Sequence, residues 1–141
     1  MVRALSRGAS LAVFVERDPG AVAVIERNLA ATGFAGTAAR VMRSQVGTWC
    51  NSGPKPGAPY AAVLIDPPYD LPELLEDALK AIADANPGGL LAADGVVVAK
   101  HFWKTPPSAS IGLLRSARER RFGETTLTFL RWSDEQGEED G

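Results

Sequence analysis

The stretch Ala61-Ala-Val-Leu-Ile-Asp-Pro-Pro-Tyr69 decides how this chain folds. Ala61 to Ile65 is a short, unbroken apolar run, the pattern of a strand buried on both faces of a parallel sheet. It stops at Asp66-Pro67-Pro68-Tyr69, where two prolines fix φ and remove two backbone donors. Pro72 then opens a helix, as proline does in a first turn. Its core face is Leu75, Leu79 and Ile82, flanked by Leu74 and Ala78, and Asn86-Pro-Gly-Gly89 ends it. Strand, polar turn and amphipathic helix make half of a βαβ unit.

The same alternation extends in both directions. Upstream, Leu11-Ala-Val-Phe-Val15 is a second buried strand, ending at Glu16-Arg-Asp-Pro-Gly20. A helix follows, with Val22, Ile25 and Leu29 at helical spacing and Gly33 placed to cap it. Ala38 to Met42 is a weaker strand, and Gln45 to Cys50 a short helix. Asn51 to Pro59, rich in proline and glycine, is a loop. Downstream, Asp94-Gly95 reads as a turn before a strand from Gly95 to Ala99. Ile111 to Arg121 fits helix or strand. Thr125 to Leu130 alternates like a strand, so a hairpin turning at Phe122-Gly-Glu-Thr125 is the favoured reading. Apolar runs alternating with helical patterns predict an α/β fold with a mostly parallel sheet.

Composition narrows the class. The chain has 141 residues, 45% hydrophobic and 23% charged, as in one ordinary globular domain. No apolar run reaches the roughly 18 residues of a membrane span, and no signal peptide is evident at Met1 to Ser10. Cys50 is the single cysteine and His101 the single histidine. That excludes an intramolecular disulfide and argues against a cysteine or histidine metal site and a Ser-His-Asp triad. These features predict a reducing, cytoplasmic setting. The net charge of −2 hides an asymmetry. Gly95 to Trp132 carries seven lysines and arginines against two acids, whereas Ser133 to Gly141 carries five acids and no base. The tail is expected to be disordered. The basic segment suits a polyanion such as RNA, with Lys100, His101, Lys104, Arg118, Arg120 and Arg121 as the expected contacts; the alternatives are a merely solvated basic surface and a structural His101.

The residue types at the strand ends suggest a chemistry. Open parallel sheets place ligands at the C-terminal ends of their strands. There the Asp66 carboxylate and the Pro67 carbonyl, with Pro68 fixing the backbone, can accept hydrogen bonds from both N–H groups of an exocyclic amine. Such an amine is a poor nucleophile, and paired acceptors favour the charge that develops as it attacks a methyl group. Tyr69 offers a face for base stacking. Asp and Pro also favour turns, which is the plain alternative. Glu16 is placed to bond the ribose hydroxyls of a nucleoside cofactor, with Arg17 beside the adenine. Taken alone, Glu16 reads first as an acid at a helix start; the methyl-transfer motif two strands later turns the reading to the cofactor. Trp103, between Lys100, His101 and Lys104, is either a packing residue or an RNA-stacking one.

These pieces together resemble one family. Ala4-Leu-Ser-Arg-Gly-Ala9, Phe14-Val-Glu16 with Asp18, Ile25 with Asn28, Asp66-Pro-Pro-Tyr69, and Phe122-Gly-Glu-Thr125 before a final strand are similar to the RsmD-type 16S rRNA guanine-N2 methyltransferases. The resemblance spans nearly everything up to Trp132. It implies a Rossmann-like class I methyltransferase fold with a C-terminal antiparallel hairpin, residues 1–132 forming the domain and 133–141 the acidic tail. It implies S-adenosylmethionine as donor and a guanine amine of small-subunit rRNA as acceptor, with the small ribosomal subunit as partner and neither metal nor membrane involved. By resemblance Glu16 is the ribose ligand, Ser44 and Gln45 are the adenine-side contacts, and Asp66 to Tyr69 form the catalytic loop, with Asp66 bordering the cofactor.

One departure stands out. No Gly-x-Gly pair precedes Glu16, whereas the family carries a first strand and a glycine-rich loop before the Ala-Leu-Ser-Arg-Gly segment. The resemblance therefore implies that this chain starts inside the helix after that loop. It further implies that the missing strand belongs between those ending at Glu16 and Asp66, and that cofactor is held weakly by the chain as it stands. The tetrapeptide alone is shared with adenine-N6 methyltransferases of DNA or RNA. A non-catalytic, RNA-binding fragment is the third reading.

Overall fold

The computed structural model describes residues 11–33, 39–53, 55–68, 70–86 and 89–133. The chain separates into two compact units, residues 1–57 and 58–141.

In the first unit, strand β1 (Ala12–Glu16) pairs in parallel with β2 (Ala39–Arg43), Glu16 opposite Arg43. Between them runs helix α1 (Pro19–Thr32). Its start is set locally. Asp18 caps it by accepting from the Ala21 amide at 2.8 Å, and Pro19 stands in the first turn, where its missing N–H is harmless. Gly33 ends it at φ 83°, a left-handed conformation that favours glycine. Leu29 is buried with Ala12 and Ala39, and Phe14, Ile25 and Val41 pack around them. Helix α2 (Val46–Cys50) follows β2 and buries Cys50. Burial pushes the Cys50 thiol pKa up, with nearby Lys55 pulling the other way, so this cysteine is a packing residue and not a reactive one.

The second unit holds a five-stranded sheet in the order β3-β4-β7-β6-β5. Its strands are β3 (Tyr60–Ile65), β4 (Leu91–Phe102), β5 (Ser110–Ile111), β6 (Leu114–Phe122) and β7 (Thr125–Trp132). Strands β3 and β4 are parallel, joined through helix α3 (Pro72–Ala85), and the remaining neighbours are antiparallel. The fold is thus α/β as expected. The sheet is more mixed than expected, however, because the hairpin side supplies three antiparallel pairings in this unit. Helix α3 packs against β4 and β5, burying Leu75, Ala78, Leu79, Ile82 and Ala83. On the sheet, Val97, Ala99, Leu114, Leu130 and Thr128 are almost wholly buried.

Two expectations need correction. Asp94-Gly95 is not a turn. β4 runs continuously from Leu91 to Phe102, and the extra residues are absorbed as an irregularity opposite Tyr60 and Ala62. A side chain at Gly95 would meet the carbonyl oxygens of Ala92 and Tyr60 at 3.0 Å. The glycine therefore permits close approach of two backbones inside a strand. The helical option for Ile111 to Arg121 is also excluded: Leu114 to Phe122 is strand β6, and the hairpin to β7 turns at Gly123, φ 63°. The Ala4–Ala9 segment and the acidic tail from Asp134 lie outside the described residues.

Candidate active site

The parallel pairing of β3 with β4 brings the informative tetrapeptide beside a cation. Asp66 follows the last residue of β3. Ile65 pairs with Ala99, which leaves Asp66 next to Lys100, and Lys100 Nζ lies 3.6 Å from Asp66 Oδ2. The side chains remain 40% and 55% exposed respectively, so water screens the pair and it contributes at most about 1 kcal/mol to stability. The pair stands at the C-terminal edge of the sheet, where ligands of open α/β folds bind. Pro67, Pro68, Pro72 and Leu75 line a small hollow there, with Lys100, His101, Phe102 and Thr105 on its other wall. The hollow has room for about one water molecule. Tyr69, expected to supply the stacking face, lies outside the described residues.

His101, expected on an RNA-facing surface, is 4% exposed. Its Nδ1 donates to the Phe102 carbonyl at 2.8 Å, and its Nε2 shares a 2.7 Å bond with the Thr128 hydroxyl. The cause is strand alternation. Val97, Ala99 and His101 point to one face, and that face is the core. The imidazole locks β4 to β7 across the sheet and is no surface contact. By the same alternation Lys100 faces the other way. Its pairing with Asp66 is a contact that the sequence reading assigned to RNA alone; the parallel register would have indicated it. Lys104, Arg118, Arg120 and Arg121 are exposed, as expected for groups meeting a polyanion.

In the first unit, the ends of β1 and β2 bring together three expected cofactor residues. The Ser44 amide donates to the Glu16 carbonyl at 3.0 Å, and Gln45 stands at the N-cap of α2 with an exposed side chain. Arg17 is exposed beside them. One oxygen of Glu16 accepts from the Asp18 amide at 3.0 Å, so the carboxylate also braces the start of α1. The other oxygen has no partner among the described residues and suits a diol. The Ser44 hydroxyl is engaged with the Gln45 carbonyl at 3.0 Å, which leaves the Gln45 amide as the freer polar group. These residues fit the nucleoside half of a nucleoside cofactor. Among the described residues there is no metal-binding group of side chains and no helix long and apolar enough to cross a membrane.

The family model described as conserved hypothetical protein 95 matches residues 1–131. The chain belongs to this family, that of the RsmD-type methyltransferases. A family relative from Bacillus subtilis (strain 168), named "Putative rRNA methyltransferase YlbH", is 28% identical over 131 residues, covering 92% of this chain and 68% of its own length. A solved structure named "Putative methyltransferase yhhF from Escherichia coli" is 25% identical with a TM-score of 0.75, covering 94% of this chain and 69% of that one. An O-methyltransferase from neocarzinostatin biosynthesis, solved in complex with S-adenosylmethionine, has a TM-score of 0.60 at 13% identity. It covers 89% of this chain and 49% of that one, a likeness of fold alone. The family member described here thus has the class I methyltransferase fold.

Proposed function

We propose that this protein uses S-adenosylmethionine to methylate the exocyclic N2 amine of a guanine in small-subunit (16S) rRNA, with residues 1–132 acting as one methyltransferase domain. The observation that carries the reading is Asp66, 3.6 Å from Lys100 at the end of a parallel strand and followed by two prolines. The family and the name of its Bacillus relative support an rRNA methyltransferase, and the ligand of the neocarzinostatin enzyme supports the cofactor. Glu16 accepts from the ribose hydroxyls, while Arg17, Ser44 and Gln45 border the adenine. When bound, S-adenosylmethionine supplies a methyl group on a sulfonium, an electrophile that needs no further activation.

The protein's part is to hold the amine. A guanine N2 lone pair is delocalised into the ring, and attack requires it to localise on nitrogen. The Asp66 carboxylate and the Pro67 carbonyl accept the two N–H bonds, favouring that localisation and the positive charge that follows; the C–S bond breaks as the N–C bond forms, the donor leaves as a neutral thioether, and one amine proton then passes to solvent. Pro67 and Pro68 hold the accepting carbonyl in one direction. Tyr69 stacks on the base, which leaves its helix to reach the loop. Asp66 borders the cofactor as well as the base. The setting is cytoplasmic, where ribosomal subunits are assembled.

The identity of the product tests this reading. Under-methylated small ribosomal subunits are incubated with the protein and S-adenosylmethionine, and the digested nucleosides are analysed by mass spectrometry. The expected product is N2-methylguanosine. N6-methyladenosine would move the function to an adenine methyltransferase sharing the same loop. Labelled cofactor bound without any methylated nucleoside would overturn the assignment.

A further inference from the structure

The exposed indole of Trp103 carries two cations. Arg121 stacks on it with its guanidinium carbon 3.9 Å from the ring centroid, and Lys104 Nζ lies 5.1 Å from the same centroid. The ring keeps 36% of its surface exposed. Elsewhere on β6, Arg120 lies 5.5 Å over the ring of Phe122, itself 55% exposed. Hydrogen bonds hold the cluster in place. The Trp103 amide donates to the Glu124 carbonyl at 2.9 Å, tying the turn after β4 to the β6–β7 turn. Arg121 Nε donates to the Gly123 carbonyl at 2.7 Å, which fixes the guanidinium plane. Among the described residues no carboxylate forms an ion pair with Lys104, Arg120 or Arg121. Cations gathered on exposed rings and left without counter-charges favour an anion that brings a flat group with it.

We propose that Trp103, Arg121 and Lys104 form a stacking step for an unpaired nucleotide of single-stranded RNA next to the target base. This rests on the reading of Asp66 as the methyl-transfer site. Lys100, beside Asp66, is three residues from Trp103, a backbone span of at most about 10 Å. A nucleotide close to the target in the same strand therefore reaches the step. Its base lies on the indole and guanidinium planes, and its phosphate meets Lys104. A base inside a duplex has no free face to offer, so the step selects single-stranded RNA around the target. Because Arg121 is already pinned to Gly123, little side-chain entropy is lost on binding.

Fluorescence anisotropy with a labelled ten-nucleotide single-stranded oligoribonucleotide of mixed sequence tests this on the full chain. Trp103→Ala is expected to weaken binding about 5- to 150-fold, the range for loss of one base–aromatic stack. Trp103→Phe keeps a ring and retains most of the affinity, and both variants are checked by circular dichroism melting. Arg121→Lys keeps the charge but loses the plane, and falls between wild type and Arg121→Ala. A blunt duplex of the same sequence competes poorly, and its binding is unchanged by Trp103→Ala. Equal oligonucleotide affinity of wild type and folded Trp103→Ala overturns the stacking step while leaving the methyl-transfer reading intact. Equal sensitivity of duplex and single strand to Trp103→Ala overturns its selectivity. If wild type binds neither RNA, the step falls together with the RNA reading.

Discussion

Asp66 and Lys100 form one of the ion pairs in the described structure, and it is half exposed. A pair in that position adds little to folding. The carboxylate and its two prolines were legible in the sequence because each acts through local chemistry: an acceptor, a fixed φ, a lost donor. The partnership with Lys100 was not, since it depends on which strand neighbours β3 and in what register. For His101 the structural alternative holds, and the RNA contact does not. Alternation through Val97 and Ala99 places it on the core face. Glu16 has two calls on its carboxylate, the Asp18 amide and the expected ribose. Replacing it separates them. In a form of the protein that binds S-adenosylmethionine, calorimetry on Glu16→Ala is expected to show a loss of about 1.5–3 kcal/mol of binding free energy, the worth of a charged acceptor. Unchanged affinity would leave Glu16 with its helix-bracing role alone.

Among the elements, α3 shows how much of a fold a sequence pattern can carry. Leu75, Leu79 and Ile82 stand at helical spacing, and the structure buries all three. Leu79 is 0% exposed, so truncating it leaves a cavity as well as losing its transfer from water. Leu79→Ala should lower the unfolding free energy by about 2–5 kcal/mol, read from urea melts with an unchanged slope. Leu74, on the flank and only half-buried, should cost markedly less when changed to Ala. β4 was the least legible element. Asp94-Gly95 has the composition of a turn, and only tertiary contact reveals that the glycine lets the strand pass Tyr60 and Ala92 closely. The β6–β7 hairpin was favoured because Thr125 to Leu130 alternates and Gly123 can adopt positive φ. The parallel pairs followed from apolar runs. The antiparallel share of the sheet was underestimated because Leu114 to Phe122 is strongly charged, with eight of its nine residues exposed, and lacks an apolar run.

Across the whole molecule, charge and chemistry coincide on one part of the sequence. The stretch from Gly95 to Trp132 holds seven lysines and arginines against two acids, including the lysine beside Asp66, and the aromatic step at Trp103. If Arg118, Arg120 and Arg121 meet phosphates, replacing all three by Ala should flatten the log–log salt dependence of RNA binding by about one unit per lost contact. Titration at several salt concentrations reads this, and an unaltered slope would mean that these side chains face away from the RNA. The claim on which the functional account turns is narrower: Asp66 acts in the methyl-transfer step. Single-turnover methylation of under-methylated small ribosomal subunits, comparing wild type with Asp66→Ala in a form that binds cofactor, measures it most directly. Loss of one preorganised acceptor should slow the step by about 10²–10³ while cofactor affinity changes far less. Full activity in Asp66→Ala would contradict the account.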